Sequence, residues 1–80
     1  MKWSKPRMDY TGRYYQRSAK KNLCKANIFY TLNPSRYFFT VEDITSGLRF
    51  NSKERGKLYK SLEECMEACE HRLDLIVAYR

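Results

Sequence analysis

The segment that decides the fold is residues 61–77, which read SLEECMEACEHRLDLIV. Its apolar residues recur at steps of three and four, the spacing of one face of an α-helix. Ser61 and Glu64 have the spacing of a capping box, in which the serine hydroxyl accepts from the backbone amide three residues later. The sequence therefore predicts a helix over 61–77. Its apolar stripe consists of Leu62, Cys65, Met66, Cys69, Leu73, Ile76 and Val77.

Three runs rich in β-branched and aromatic residues precede the helix, at 27–32, 36–42 and 48–52. Such runs, separated by short turn-forming stretches, predict antiparallel strands. The expected class is α+β, a three-stranded antiparallel sheet packed against one C-terminal α-helix. An extra N-terminal strand at 10–15 remains an open alternative.

The two-residue period of a strand assigns side chains to the two faces of this sheet. The inner face, under the helix, is predicted to hold Ile28, Tyr30, Phe39, Val41, Leu48 and Phe50. The outer face is predicted to show Phe29, Thr31, Phe38, Thr40, Glu42, Arg49, Asn51 and Lys53. One helix covers only one face, so the outer face must meet solvent, the N-terminal segment or a partner.

Charge divides the 80-residue chain unevenly. Residues 1–25 carry eight basic residues against Asp9, whereas residues 61–80 carry two basic residues against five acidic ones. With Trp3, Tyr10, Tyr14 and Tyr15 among its charges, the first segment is predicted to be a basic, aromatic arm, partly flexible over 1–8. Residues 26–80 are then the βββα domain.

Composition excludes several classes of protein. A single His and the absence of a Gly-rich loop argue against an enzyme and against a cofactor. Cys65 and Cys69, with Cys24 and His71, are poorly spaced for zinc, so no metal is expected. The N-terminus lacks the apolar stretch of a signal peptide, and no stretch is long enough for a membrane span. The expected location is the cytoplasm, with reduced thiols.

The net charge of +7 favours anionic partners, and nucleic acid is the first of them. The predicted nucleic-acid-binding residues are Arg36, Arg49, Asn51, Lys53, Arg55, Lys57, Lys20 and Lys21, with Lys25 as a further phosphate contact. The alternative is that these side chains form the solvated face of a small basic domain.

Two outer-face aromatics, Phe29 and Phe38, allow a second use of the same surface. They have the residue type that stacks on bases or anchors a protein partner. The alternative, which we favour, is that the N-terminal segment covers both rings, through Trp3 or Tyr14, because paired exposed aromatics are unusual in a monomer.

The junction between the third strand and the helix, GKLYKSLEEC over 56–65, carries a resemblance. Three strands followed by a Gly, an aromatic residue and a capped helix resemble the arm-binding domains of phage and transposon tyrosine integrases, and the DNA-binding domain of plant ethylene-response factors, over about residues 26–77. Cys65 stands where those families usually have Ala. The resemblance implies that the sheet enters the major groove of duplex DNA through Arg36, Arg49, Asn51 and Lys53.

Two features depart from this resemblance. The Arg and Trp residues typical of the plant strands are missing, and Glu42 and Asp43 would repel phosphate. The expected function is therefore a small basic module that binds nucleic acid, with duplex DNA as the first target. The alternative is a protein-interaction module, encoded by a phage, that inhibits or modulates a host or defence protein. The size and character of the chain suggest a phage or mobile-element origin, and an uncovered sheet edge would permit a homodimer.

Overall fold

The computed structural model describes residues 2–79 of the chain. Six strands and one helix follow in the order β1 (Arg7–Met8), β2 (Tyr14–Tyr15), β3 (Arg17–Lys21), β4 (Cys24–Thr31), β5 (Arg36–Asp43), β6 (Arg49–Asn51) and α1 (Leu62–Ala78). Strands β3 to β6 form an antiparallel sheet in chain order, and β1 and β2 form a separate hairpin. The α+β class with one C-terminal helix is confirmed. Met1 and Arg80, the outer ends of the two predicted segments, lie outside the described residues.

The sheet has four strands, so the prediction of three is wrong by one. The additional strand, β3, pairs with β4 from Arg17 opposite Ile28 to Lys21 opposite Cys24. The alternative of an extra strand at 10–15 is also misplaced, since only Tyr14–Tyr15 is extended there and it pairs with β1. An edge strand that is half solvated needs no apolar alternation, which is why residues 17–21 give no strand pattern.

The core lies between α1 and the inner face of the sheet. Its fully buried members are Cys24, Ala26, Ile28, Phe39, Val41, Cys65, Cys69 and Leu73. The period-two assignment is confirmed for Ile28, Phe39 and Val41, and the predicted helix stripe supplies the other side of the core. Burial of this apolar surface is the main favourable contribution to folding.

Two residues assigned to the inner face are not core residues. Tyr30 is 41% exposed and Leu48 is 57% exposed. Tyr30 lies at the end of β4, where its ring packs on that of Tyr37 at 5.0 Å. Leu48 precedes β6, so the strand period does not extend to it. Both lie at the ends of the sheet, where the core does not bury them.

The helix begins as the sequence predicts. The Ser61 hydroxyl accepts a hydrogen bond from the backbone N–H of Glu64 at 3.1 Å. Glu63 and Glu64 lie in the first turn, where negative charge interacts favourably with the helix dipole. No helix within residues 2–79 is long and apolar enough to cross a membrane.

A buried serine closes the edge of β5 where β6 has ended. The Ser52 hydroxyl accepts from the backbone N–H of Phe39 at 3.0 Å, and the Ser52 N–H donates to the Phe39 carbonyl at 3.0 Å. The Ser52 carbonyl also accepts from Arg55 and Lys57 in the following turn. Ser52 is fully buried, so its side chain replaces the strand partner that Phe39 would otherwise lack.

Substitution in the helix stripe should separate a buried position from a half-buried one. Leu73→Ala is expected to lower the free energy of unfolding by ~2–5 kcal/mol, because it leaves a cavity in the core. Met66→Ala should cost less, since Met66 only borders the core. Urea denaturation followed by circular dichroism measures both, with the exposed Glu67→Ala as control. An unfolding midpoint for Leu73→Ala equal to that of Glu67→Ala would contradict this packing.

Ser52→Ala should destabilise the protein although it removes one oxygen atom. The Phe39 N–H would remain buried without an acceptor, at a cost of about 1–3 kcal/mol. Ser35→Ala, in an exposed turn, is the matched control. The same denaturation experiment tests this, and an unchanged midpoint for Ser52→Ala would show that the Phe39 amide has another partner.

Candidate nucleic-acid interface

The strand register arranges the outer face of the sheet in rows. Residues directly opposite one another in neighbouring strands share a face. The charged row runs across β3 to β6 as Lys20, Lys25, Glu42 and Arg49. The polar row next to it is Ser18, Asn27, Thr40 and Asn51. Phe29 and Phe38 follow on β4 and β5, and Thr31 and Arg36 lie beyond them.

The β1–β2 hairpin is held by the carboxylate of Asp9. Its Oδ1 accepts from the backbone N–H groups of Thr11 and Arg13 and from the Thr11 hydroxyl, and its Oδ2 accepts from the Tyr15 hydroxyl at 2.9 Å. These donors, the Thr11 hydroxyl first, lower the pKa of Asp9 to about 2. The same contact with Asp9 raises the pKa of Tyr15. Asp9 therefore links the turn of the hairpin to Tyr15, the side chain that packs on the sheet.

The hairpin packs on the outer face through aromatic contacts. The Tyr15 ring lies 5.1 Å from that of Phe29, which in turn stacks on Phe38 at 5.2 Å. The Arg13 guanidinium lies 4.4 Å from the centre of the Phe29 ring. Phe29 is only 6% exposed as a result. The ring is covered by the N-terminal segment, as favoured, but by Tyr15 and Arg13 instead of Trp3 or Tyr14.

Trp3 lies on the other side of the molecule. Its indole Nε1–H donates to Oε1 of Glu70 in α1 at 3.0 Å, and its ring borders the core. Ser4 follows along the edge of β3, where its N–H donates to the Ser18 carbonyl at 2.8 Å. The N-terminal segment thus contacts the helix first, then the sheet edge, and then crosses the outer face as the hairpin.

An open channel crosses the outer face beside the hairpin. One groove, of about 400 Å³, is lined by Arg13, Lys25, Asn27, Thr40, Arg49, Asn51 and Glu54, among others. A second, of about 460 Å³, is lined by Arg7, Ser18, Lys20, Lys25 and Asn27 with Tyr15 and Ala19. Because Tyr15, Lys25 and Asn27 border both, the two grooves form one continuous surface. We call it the channel.

The two acidic residues that argued against phosphate face different ways. Asp43 pairs with Cys24 on the helix side of the sheet, is 3% exposed, and accepts from the Thr45 N–H. Glu42 does face the channel, and its Oε2 lies 2.6 Å from Nε of Arg49. Of these two residues, Glu42 therefore lies where it would repel a phosphate bound to the outer face, and it also competes for Arg49.

The predicted binding residues do not form one group. Arg49, Asn51 and Lys20 border the channel. Arg36 lies two rows away, with its guanidinium donating to the Ser35 carbonyl at 2.8 Å. Lys53 lies over the Phe38 ring at 5.4 Å.

The remaining predicted contacts lie away from the channel. Arg55 shares the Phe50 ring with Arg72 of the helix, so it is turned to the helix side. Lys21 also lies on the helix side, 3.8 Å from Asp74, because its register position is opposite Cys24. Lys57 is exposed in the turn before the helix. Lys21 and Arg55 therefore do not border the channel, because the sequence does not fix the register of β3 or the path of the turn after β6.

Three residues that border the channel were missed. Arg7 and Arg13 come from the hairpin, and Arg7 lies 4.6 Å from the Tyr15 ring. Asn27 reaches the floor from β4, and within residues 2–79 its side chain has no hydrogen-bond partner. The alternation of strand β4 could have assigned Asn27 to the outer face. The two arginines depend on a hairpin fold that has no strong local signal.

The cysteines lie outside this surface. All three are buried in the core, and burial raises the pKa of the Cys65 thiol to about 12 and raises that of the Cys69 thiol further. Such thiols remain protonated and unreactive at neutral pH. Among the described residues, no group of three or more His, Cys, Asp and Glu is placed to hold a metal ion.

No protein-family model, curated protein or solved structure matches this chain. The resemblance to integrase and ethylene-response-factor domains therefore stays a prediction.

The Asp9 contacts should make the hairpin resistant to acid. The folded pKa is lowered, so the stabilisation is complete above the ordinary carboxyl value near 3.8 and is lost as the pH falls through about 2. In an NMR titration from pH 6 to 1.5, the amide resonances of Thr11 and Arg13 should move with a midpoint near 2. In Asp9→Asn this movement should be absent. A midpoint near 4 in the wild type would contradict the hydrogen-bond set.

Proposed function

We propose that this protein is a small nucleic-acid-binding module that uses the outer face of its sheet and its N-terminal segment. The observation that carries the proposal is the channel, where cations from three parts of the chain border one concave polar surface. Arg7 and Arg13 come from the hairpin, Lys20 and Lys25 from the first two strands of the sheet, and Arg49 from β6. Clustered Lys and Arg neutralise phosphates and release counterions, the main source of affinity for nucleic acid.

The distribution of acidic residues supports the same proposal. The helix carries Glu63, Glu64, Glu67, Glu70 and Asp74, and it packs on the opposite face of the sheet. An anionic polymer that approaches the channel therefore meets the basic side of the molecule and avoids the acidic one. The separation of charge between the two faces would orient the complex before contact.

A protein-interaction role is the second candidate, because apolar residues gather at one end of the molecule. Leu23, Ile44 and Leu48 are each about half exposed or more, and the Ile44 N–H donates to the Leu23 carbonyl. Leu23 also adopts a positive φ of 61°, where a Leu is strained. The anchors suggested by the sequence are less suitable, since Phe29 is buried. A partner held at this end would be lost on Leu23→Asn, whereas binding at the channel would be unaffected.

Salt and charge variants test the nucleic-acid proposal. Binding of a fluorescent oligonucleotide should weaken with salt, with a log–log slope of about −0.7 to −0.9 per phosphate contact. Lys20→Ala with Lys25→Ala should weaken binding and make that slope shallower by about two contacts, while Lys60→Ala with Lys57→Ala, away from the channel, should change it little. Absence of saturable binding to single-stranded and duplex DNA and RNA at low salt would reject the proposal.

Glu42→Gln should strengthen binding. The change removes a negative charge from the channel and releases Arg49, an effect on the order of 1 kcal/mol at a partly solvated site. Anisotropy titrations at one salt concentration measure the change. The control is Glu67→Gln, which removes the same charge from an exposed position on the helix. Equal strengthening by both variants would show that net charge alone governs binding, and that the channel has no special role.

A further inference from the structure

We infer that the ligand of the channel is a single strand of nucleic acid, and that the Asn27 and Asn51 side chains bind the edges of its bases. This inference rests on the proposed function and makes it specific. It replaces duplex DNA, the target expected from the resemblance, with an unpaired strand that crosses β3 to β6.

The hairpin is the first reason. A sheet that reads duplex DNA must enter a major groove about 12 Å wide. Here β1 and β2 lie on that face, fixed by the Tyr15–Phe29 contact. A second layer of backbone on a sheet adds roughly 10 Å to its thickness. The outer face is therefore concave beside the hairpin. A single nucleic-acid strand can lie in such a surface, whereas a sheet that enters the major groove of duplex DNA must protrude.

The dimensions of the channel are the second reason. It crosses four strands, or about 14 Å at the usual spacing of neighbouring strands. At the roughly 3.4 Å rise of a stacked strand, this length corresponds to about four nucleotides. Lys20 and Lys25 lie side by side in the charged row, where consecutive phosphates of one strand would pass, and Glu42 separates them from Arg49.

The polar row is the third reason. Asn27 and Thr40 have no side-chain hydrogen-bond partner within residues 2–79. Asn51 uses only its Oδ1, which accepts from the Lys53 N–H at 2.9 Å. The two amides thus present free N–H donors on the channel floor, next to the charged row. Amides in this position pair with the exposed edges of unpaired bases, the usual targets in single-strand recognition.

The aromatic side chains limit how such a strand is held. Phe29 is covered by Tyr15 and Arg13, and Lys53 lies over Phe38. Because Phe29 is buried and a lysine lies over Phe38, the two rings do not form the open stacking platform that is usual in single-strand binders. Base recognition in this channel must therefore rely on hydrogen bonds, and it should depend on the sequence of the strand more than stacking would.

The experiment compares one labelled 12-nucleotide sequence as a single strand and as a duplex, by anisotropy with the full chain at fixed salt. The same sequence is made as DNA and as RNA. We expect the single strand to bind at least tenfold more tightly than the duplex. In a series of shorter strands, affinity should rise steeply up to about four nucleotides and then level off.

Two isosteric variants test the amides. Asn27→Asp and Asn51→Asp keep shape, and the second keeps the acceptor for the Lys53 N–H, but each replaces a donor with a negative charge. Each should weaken single-strand binding more than Asn33→Asp does, the same charge change in the distant β4–β5 turn. Thermal melts confirm that all three variants are folded.

The outcomes separate the two proposals. Duplex binding as tight as single-strand binding, or equal effects of Asn27→Asp and Asn33→Asp, would overturn the single-strand inference and leave the proposed function in place. No binding of any oligonucleotide would reject both.

Discussion

The contact between Tyr15 and Phe29 is the interaction on which the outer half of this structure depends. One helix covers one face of the sheet. On the other face, Phe29 of β4 and Phe38 of β5 lie side by side. Covering Phe29 requires the chain to bend after β2 and lay its hairpin over β4. The bend brings Arg7 and Arg13 to the same surface as Lys25 and Arg49. Burial of the Phe29 ring thus positions the hairpin, which forms one wall of the channel.

The two faces of the sheet are stabilised by different chemistry. On the inner face, apolar side chains from β4, β5 and α1 form a closed core, and polar groups there are paired: the Ser52 hydroxyl with the Phe39 amide, and Asp43 with the Thr45 amide. The outer face is held by rings, guanidinium groups and the Asp9 carboxylate. Because these contacts lie near solvent, they leave charges and amides accessible. The stable inner layer therefore supports a polar outer surface that is suited to binding.

The charge arrangement follows from the same division. The acidic residues of the helix face away from the channel, and the one carboxylate of the charged row is matched by Arg49. A net charge of +7 spread evenly would give only weak attraction for any anion. The channel brings together Arg7, Arg13, Lys20, Lys25 and Arg49 against Glu42 and Glu54, and this local excess of positive charge supports the proposal that its ligand is a nucleic-acid strand.

The sequence by itself determined the elements whose signal is local. The helix, its Ser61 cap, strands β4 and β5 and the sides taken by Ile28, Phe29 and Phe38 follow from periodicity, because each side chain repeats its environment every two residues in a strand or every three to four in a helix. Tertiary structure decided the rest. Strand β3 exists because β4 has a free edge, Lys21 turns to the helix because its partner is Cys24, and Arg13 reaches the channel because Phe29 must be covered. These placements depend on contacts between residues distant in sequence, which no local pattern records.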